Sequence, residues 1–394
     1  MPLKAWDILS RAEIILRNEP DRPWLPLARH GQGVQSFSVI FLFQAFIDHL
    51  LDEFYEPGST PILTLEEPET HLHPQAARTL WVHTQALPGQ KLITTHSPYF
   101  VQHVPFRDIR LVRTTADGTA VRWLPASFSA RVPHVAALDS IGAASGNLVA
   151  YEAASSTLTV VGRFDDNTYR DLLAAYGTHA DRAVIHGVLR ELRDRSRLFV
   201  SDAELVALET FARRIRGEIF FARRWFLVEG QAEYLLMHPL GRALGYDLDE
   251  HGVAVIDVQN NGDPVAFAVL ARALGIPWLA VFDGDAAGLS YVARIGNRDF
   301  DPAEIATRCR TLPGDDLEKQ LVADGFEPEL RTALQKLGEA DAMTITTSQL
   351  LQRLGNDKTG YAAELANMIS VNPAIGVRMP EAFRSAIAAL RGLA

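Results

Sequence analysis

The sequence is poor in cysteine and in lysine, and each scarcity narrows what the chain can be. One cysteine in 394 residues, Cys309, excludes a disulfide framework and any cysteine-based zinc site. Only five of the 38 basic residues are Lys, so a Lys stands out where an Arg is background. A basic excess is missing too: 38 basic against 48 acidic residues give a formal charge of −10. That excludes a broadly basic nucleic-acid coat, but not an enzyme that gathers carboxylates at a metal and docks phosphates on a local basic face. Long apolar runs are absent. The longest, 37–47, contains Ser38 and Gln44 and is too short to cross a bilayer. No basic-then-apolar leader opens the chain, so the expectation is a cytoplasmic protein with no membrane partner. What is present, 47% hydrophobic and 22% charged residues, is ordinary globular composition at a length suited to two or three domains.

The order of elements reads as α/β. Gly31–Ser36 opens an apolar stretch, 37–51, of helical length; a buried-strand candidate, 62–65, ends in Glu66-Glu67; a helix, 75–85, and a strand, 91–94, follow and lead to His96. The signal weakens over 114–178, where 121–124 and 157–161 read as short strands, and 182–224 reads as two long helices. Within 190–224 nine Arg stand against six acidic residues, a pattern that fits a DNA-facing strap but more commonly an amphipathic pair with solvated charges. Strand–helix alternation returns at 225–228, 232–244, 253–258, 264–274 and 278–282, and the rest is mostly helical.

Two acidic groups sit at the carboxyl ends of expected parallel strands. Glu229 follows 225–228, with Glu233 at the start of the next helix; Asp283 and Asp285, flanking Gly284, follow 278–282. Ligands of open α/β sheets collect at that edge. Carboxylates that converge repel one another unless a hard cation neutralises them, and an all-oxygen set favours Mg²⁺ or Mn²⁺. Taken singly, each group also fits a plain structural role, a surface turn or a helix-start carboxylate. Two such groups in one α/β unit favour the metal reading.

Glu229 within FLVEGQAEYLL, followed 54 residues later by Asp283 in VFDGDAAG, resembles a Toprim domain, the metal-binding fold of topoisomerases, primases and some nucleases. The stretch 312–318, with Asp316 and Glu318, is similar to the Gly-Asp-Leu-Glu element of OLD-family (overcoming lysogenization defect) nucleases, and 356–360, with Lys358, to the Lys-containing stretch after it. The resemblance implies two divalent ions about 4 Å apart, held by Glu229, Glu233, Asp283 and Asp285, with Asp316 or Glu318 closing the second site. Lys358 would neutralise the charge of the phosphate at the transition state. On residue chemistry alone, Asp316 fits a helix N-cap, Glu318 a solvated helix face and Lys358 plain surface.

The first half resembles part of an ABC/SMC-type ATPase of the OLD sort: a signature loop at Gly31, Gly33, Gln35 and Ser36, a Walker B strand ending in Glu66 and Glu67, and a switch His at His96. Glu66 stands where many ABC proteins carry Asp. Such acids hold the Mg²⁺ water shell and polarise the attacking water, while a helix start offers amides to phosphate. The P-loop, G-x-x-x-x-G-K-[ST], occurs nowhere, so nothing cradles the β- and γ-phosphates. ATP would bind only with a partner polypeptide or a further N-terminal lobe that carries it.

The expectation is therefore an α/β protein with a partial ABC-type ATPase lobe (1–115), a helical, Arg-rich connector to which the resemblance assigns dimerisation (116–218), and a Toprim nuclease domain (219–394). Its function would be divalent-metal-dependent DNA endonuclease activity, in a homodimer. A catalytically silent regulator that pairs with a P-loop-bearing partner is the alternative; a topoisomerase or primase fits less, because no strand-passage or template-binding module is visible.

Overall fold

Uninterrupted runs of large apolar residues, such as Trp225–Val228 and Trp278–Phe282, belong in a parallel sheet covered on both faces, and that is where they stand. A computed structural model describes residues 15–17, 20–21, 23–46, 60–70, 72–115, 117–215 and 217–393. The chain divides into two compact units, 1–104 and 105–394.

In the first unit, strands Ile62–Glu66 and Gln90–Thr94 pair in parallel, with Glu66 opposite Thr94, and helix Pro74–Ala86 connects them. Alternation is visible on both strands. Leu63, Leu65 and Ile93 turn inward to Leu80, Leu87 and Phe100, whereas Ile62 and Leu92 are exposed. Helix Gln32–Phe46 starts earlier than the apolar stretch suggests, so Gly33, Gln35 and Ser36 are helical residues rather than loop. The expected continuation of that helix to residue 51 lies outside the described residues.

The second unit begins with two features that the sequence reading did not separate. Strands Leu111–Thr115 and Gly118–Arg122 form a hairpin, and Phe128–Arg131, Thr157–Val160 and Val149–Glu152 form an antiparallel sheet in that spatial order. Helices Asp166–Ala175 and Arg182–Ser196 cover this sheet over a core that includes Leu158, Val160, Leu172 and Leu189. The region thus contains more strands than the two expected at 121–124 and 157–161, together with the expected helices, and the hairpin falls in the second unit.

The large sheet follows: β1 (Arg224–Val228), β2 (Val253–Asp257), β3 (Trp278–Phe282) and β4 (Cys309–Thr311), all parallel, in the order β2-β1-β3-β4. Helices α1 (Gln231–Ala243), α2 (Pro264–Leu274), α3 (Ala286–Gly296), α4 (Leu317–Ala323) and α5 (Lys358–Val371) surround it. Phe226, Val228, Leu279 and Val281 face α1, α4, α5 and the last helix, Glu381–Gly392. On the opposite face, Trp225 meets Phe267 of α2 edge-on, with ring centroids 6.0 Å apart. Gly275, at φ +65°, ends α2 in the left-handed cap that lets the chain turn into β3. Among the described residues no helix is long and apolar enough to cross a membrane.

Candidate functional site

Strand order reverses at β1, with β2 on one side and β3 on the other, so the crevice beyond the carboxyl ends of β1 and β3 is the ligand position of an open sheet. Val228 pairs with Val281 across this junction, which brings Glu229 and Asp283 to the same height on neighbouring strands. The Asp283 amide donates to Glu229 Oε2 at 2.9 Å. Glu233, in the first turn of α1, accepts from the Gly230 amide at 3.0 Å. Asp285 caps α3 by accepting from the Gly288 amide at 2.8 Å. The turn that carries Asp283 and Asp285 is tightly enclosed. A Cβ at Gly284 would lie 2.3 Å from the Leu312 carbonyl, and one at Gly288 2.1 Å from that of Asp283, so only glycine fits.

Glu318 and Lys358 complete the cluster. Glu318, on α4, is buried; it accepts from Lys358 Nζ at 3.2 Å and from the Tyr361 hydroxyl at 2.9 Å. Lys358 is the first residue of α5, capped by Asp357. Asp316 takes its plain role: it caps α4 by accepting from the Lys319 amide at 2.8 Å and pairs with Lys319 Nζ at 3.3 Å. Tyr361 escaped the sequence reading because an aromatic at helical spacing reads as core, which by burial it also is.

Four of these carboxylates are nearly sealed from water: Glu229, Glu233, Asp283 and Glu318 are each at most 8% exposed. Burial, reinforced by Glu233, Glu229 and Glu318, pushes the Asp283 carboxyl up to about 8. Burial and Glu318 push Glu233 up to about 7. Glu229 is raised by burial and by Asp285, against the amide bond from Asp283. For Lys358, burial opposes the charge, but Glu318, Asp283 and Glu233 outweigh it and hold the ammonium above its ordinary range. One ammonium among five carboxylates leaves the site short of positive charge.

Among the described residues no three carboxylate or imidazole groups surround a common point at ligating distance; Glu229 and Glu233 each spend an oxygen on a backbone amide. The donor set nevertheless fits a hard divalent cation. It is all oxygen, it is electrostatically frustrated, and Asp283 Oδ1 is buried without a hydrogen-bond partner.

The ATPase-like residues are arranged differently. Glu67, at φ +41°, ends its strand in a left-handed turn and lies 3.4 Å from His96 Nε2. Glu66 and His96 are exposed. Glu69, not singled out from the sequence, is buried and accepts from the Thr95 hydroxyl, which in turn takes the Ser97 amide at 3.0 Å. Gln35 donates to the His30 carbonyl at 2.7 Å, and the amides of Val34 and Gln35 are bonded to Gly31. Among the described residues the hydrogen bonds of the Gly31–Gln35 stretch are thus local, and the Ser36 side chain lies outside them.

Residues 220–285 match the family model for the overcoming lysogenization defect protein-like TOPRIM domain. Residues 27–131 match a family of unknown function, DUF2813. The chain is 25% identical over 376 residues to an OLD nuclease of Thermus scotoductus, a match that covers 93% of this chain and 53% of that protein. It is also 25% identical over 299 residues to the uncharacterised protein YbjD of Escherichia coli K12, covering 75% of this chain and 41% of that one. The chain spans about half the length of the curated relatives it matches. Among solved structures, the C-terminal region of the Burkholderia pseudomallei OLD protein aligns at 20% identity and TM-score 0.36, over 44% of this chain and 98% of that one. The corresponding region from Xanthomonas campestris aligns at 25% identity and TM-score 0.32, over 45% and 99%.

Proposed function

We propose, on the premise that the second half of this chain carries an OLD-like Toprim domain, that the protein cuts DNA phosphodiester bonds with the help of Mg²⁺ or Mn²⁺. The observation that carries this reading is the buried carboxylate cluster at the β1–β3 crevice, with its orphaned Asp283 oxygen and its single ammonium. Asp283, Glu229, Glu233, Asp285 and Glu318 would hold the cations, two in number by the resemblance. Such ions, when bound, lower the pKa of water and neutralise charge on the leaving oxygen. Glu229 braces the Asp283 turn through the amide bond it accepts. Lys358, half-exposed and held by Glu318, presents its ammonium to an incoming phosphate, where it offsets charge that grows in the transition state. The sealed floor of Val228, Val281 and Phe282 excludes water from beneath the acids.

For the first unit, the Glu67–His96 contact supports an ATPase fragment whose phosphate cradle comes from another polypeptide or lobe. DNA, a second copy of the chain and a P-loop-bearing partner are the proposed associates. Incubation of purified protein with supercoiled plasmid tests the reading: nicking in Mg²⁺ or Mn²⁺ that ceases in EDTA and in Asp283→Ala is expected. Plasmid left intact under all metals, or cut equally by Asp283→Ala, overturns it.

A further inference from the structure

Three amide side chains, Gln259, Asn260 and Asn261, follow β2 at the carboxyl edge of the large sheet, the edge that also carries the acids. Their backbone is held firmly. Val228 of β1 pairs with Asp257, the last residue of β2, and the ladder runs one step further, where the Gln259 amide donates to the Glu229 carbonyl at 2.9 Å. Asp257 is buried and braces the turn behind it. Its carboxylate accepts from the Asn260 amide at 2.8 Å and from Asn260 Nδ2 at 3.0 Å, and its carbonyl accepts from Asn261 Nδ2 at 2.8 Å.

Gln259 is placed differently, with its side chain over Gly230. A Cβ at Gly230 would lie 2.9 Å from Gln259 Oε1 and 3.1 Å from Glu233 Oε2, so the carboxamide oxygen and the Glu233 carboxylate approach the same α-carbon. Glycine leaves them that space, and a larger residue would push the carboxamide aside. The acids are nearly sealed from water, whereas Gln259 is exposed, which makes it the solvent-side neighbour of Glu233. The cluster itself points to a ligand, because Asp283, 8% exposed, keeps Oδ1 without a partner. Among the described residues, carboxylates and imidazoles alone do not surround one point in threes. Hard cations also take the carbonyl oxygens of Asn and Gln.

We propose that Gln259 Oε1 is a ligand of the cation that Glu233 holds, a neutral oxygen brought from the β2 side to acids that follow β1 and β3. This rests on the divalent-metal reading of the acid cluster and adds to it a ligand without charge. A carboxamide extends the coordination and adds no further repulsion against an incoming phosphate.

The test is Mn²⁺ binding to the full chain without DNA, followed by electron paramagnetic resonance. Gln259→Ala should weaken binding about tenfold, the smaller end of what loss of a group around a metal costs. Gln259→Glu, which keeps an oxygen at the same reach and adds charge, should bind Mn²⁺ at least as tightly as wild type. A purely structural role for Gln259 would make the two variants fail alike, and a contact to DNA alone would leave both with wild-type Mn²⁺ affinity. Either result overturns the ligand and leaves the metal reading standing. Wild-type protein that binds no Mn²⁺ overturns both.

Discussion

The same local grammar, a hydrophobic strand that ends in acids, occurs in both units and leads to different electrostatics. At the end of Ile62–Glu66, Glu66 is exposed and Glu67 faces an exposed His96. At the ends of β1 and β3, Glu229 and Asp283 are buried, with Glu233 and Glu318 alongside. The difference comes from what surrounds the strands. Among the described residues, a two-stranded sheet with one exposed face leaves its terminal acids in water, where neighbouring charges are screened. Four strands covered on both faces take their terminal acids out of water, so mutual repulsion and desolvation persist until a cation relieves them.

Asp283→Ala is the largest expected loss on that account: plasmid nicking in Mn²⁺ should fall at least about 10³-fold, as expected when a cation and its charge stabilisation are lost. Glu67→Gln should leave nicking by this chain unchanged. If the two substitutions had equal effects, the contrast between buried and exposed acids would carry no functional weight.

Next in size is the scaffold. Trp225 is fully buried and donates its indole N–H to the Ile219 carbonyl at 2.8 Å. Trp225→Ala should cost about 4 kcal/mol by denaturant melts, from the cavity and the lost bond together. A loss below about 1 kcal/mol would show that the sheet is not the rigid frame the site requires.

The third prediction follows from protonation. Asp283 and Glu233 are raised, to about 8 and about 7, so the folded state holds protons that the unfolded chain releases near pH 4. The stability these groups contribute is whole below that pH and is lost as pH rises through about 7 to 8. Without metal, Asp283→Asn should therefore gain on wild type from pH 6 to pH 9, by about 2 kcal/mol at the upper end because the group keeps some solvent contact. Mn²⁺ affinity, followed by electron paramagnetic resonance, should rise over the same interval, since the ion must displace those protons. A pH-independent difference between the two proteins would contradict the desolvated cluster.

Much of this was readable from the chain. Residues 278–282 and 264–274 carry continuous apolar runs or clear caps, and the structure keeps those boundaries. Glu229 and Asp283 were legible as a pair because strand ends in parallel sheets meet by topology. Asp316 and Glu318 were not separable, since a cap and a buried acid two residues apart look alike until helix phase is known. Tyr361 has no polar signature in sequence. The hairpin's first strand, 111–115, and strands 128–131 and 149–152 were lost, and its second strand, 118–122, was read only as 121–124, because short antiparallel strands with solvated faces mix Arg, Ser and Thr among few apolar residues.

Tyr361→Phe isolates one bond of the cluster. Glu318 would lose the hydroxyl donor and keep Lys358, so stability should fall by about 1 kcal/mol and nicking by about tenfold, with Mn²⁺ affinity shifted less than either. Loss of Mn²⁺ binding as complete as in Asp283→Ala would mean that the Tyr361 hydroxyl, rather than Lys358, holds Glu318 in place as a cation ligand.

The smallest effect is expected where the contrast is sharpest. Ile62 is 69% exposed and Leu92 61%, both on the outward face of the first unit's sheet. Apolar residues so exposed contribute little by burial, so Ile62→Ser should change stability by no more than about 0.5 kcal/mol, against about 4 for Trp225→Ala. Parallel sheets are ordinarily covered on both faces, which makes this a stringent measurement. A cost above about 1 kcal/mol for Ile62→Ser would mean that the outward face is covered in solution, and that the two sheets differ less than their exposure implies.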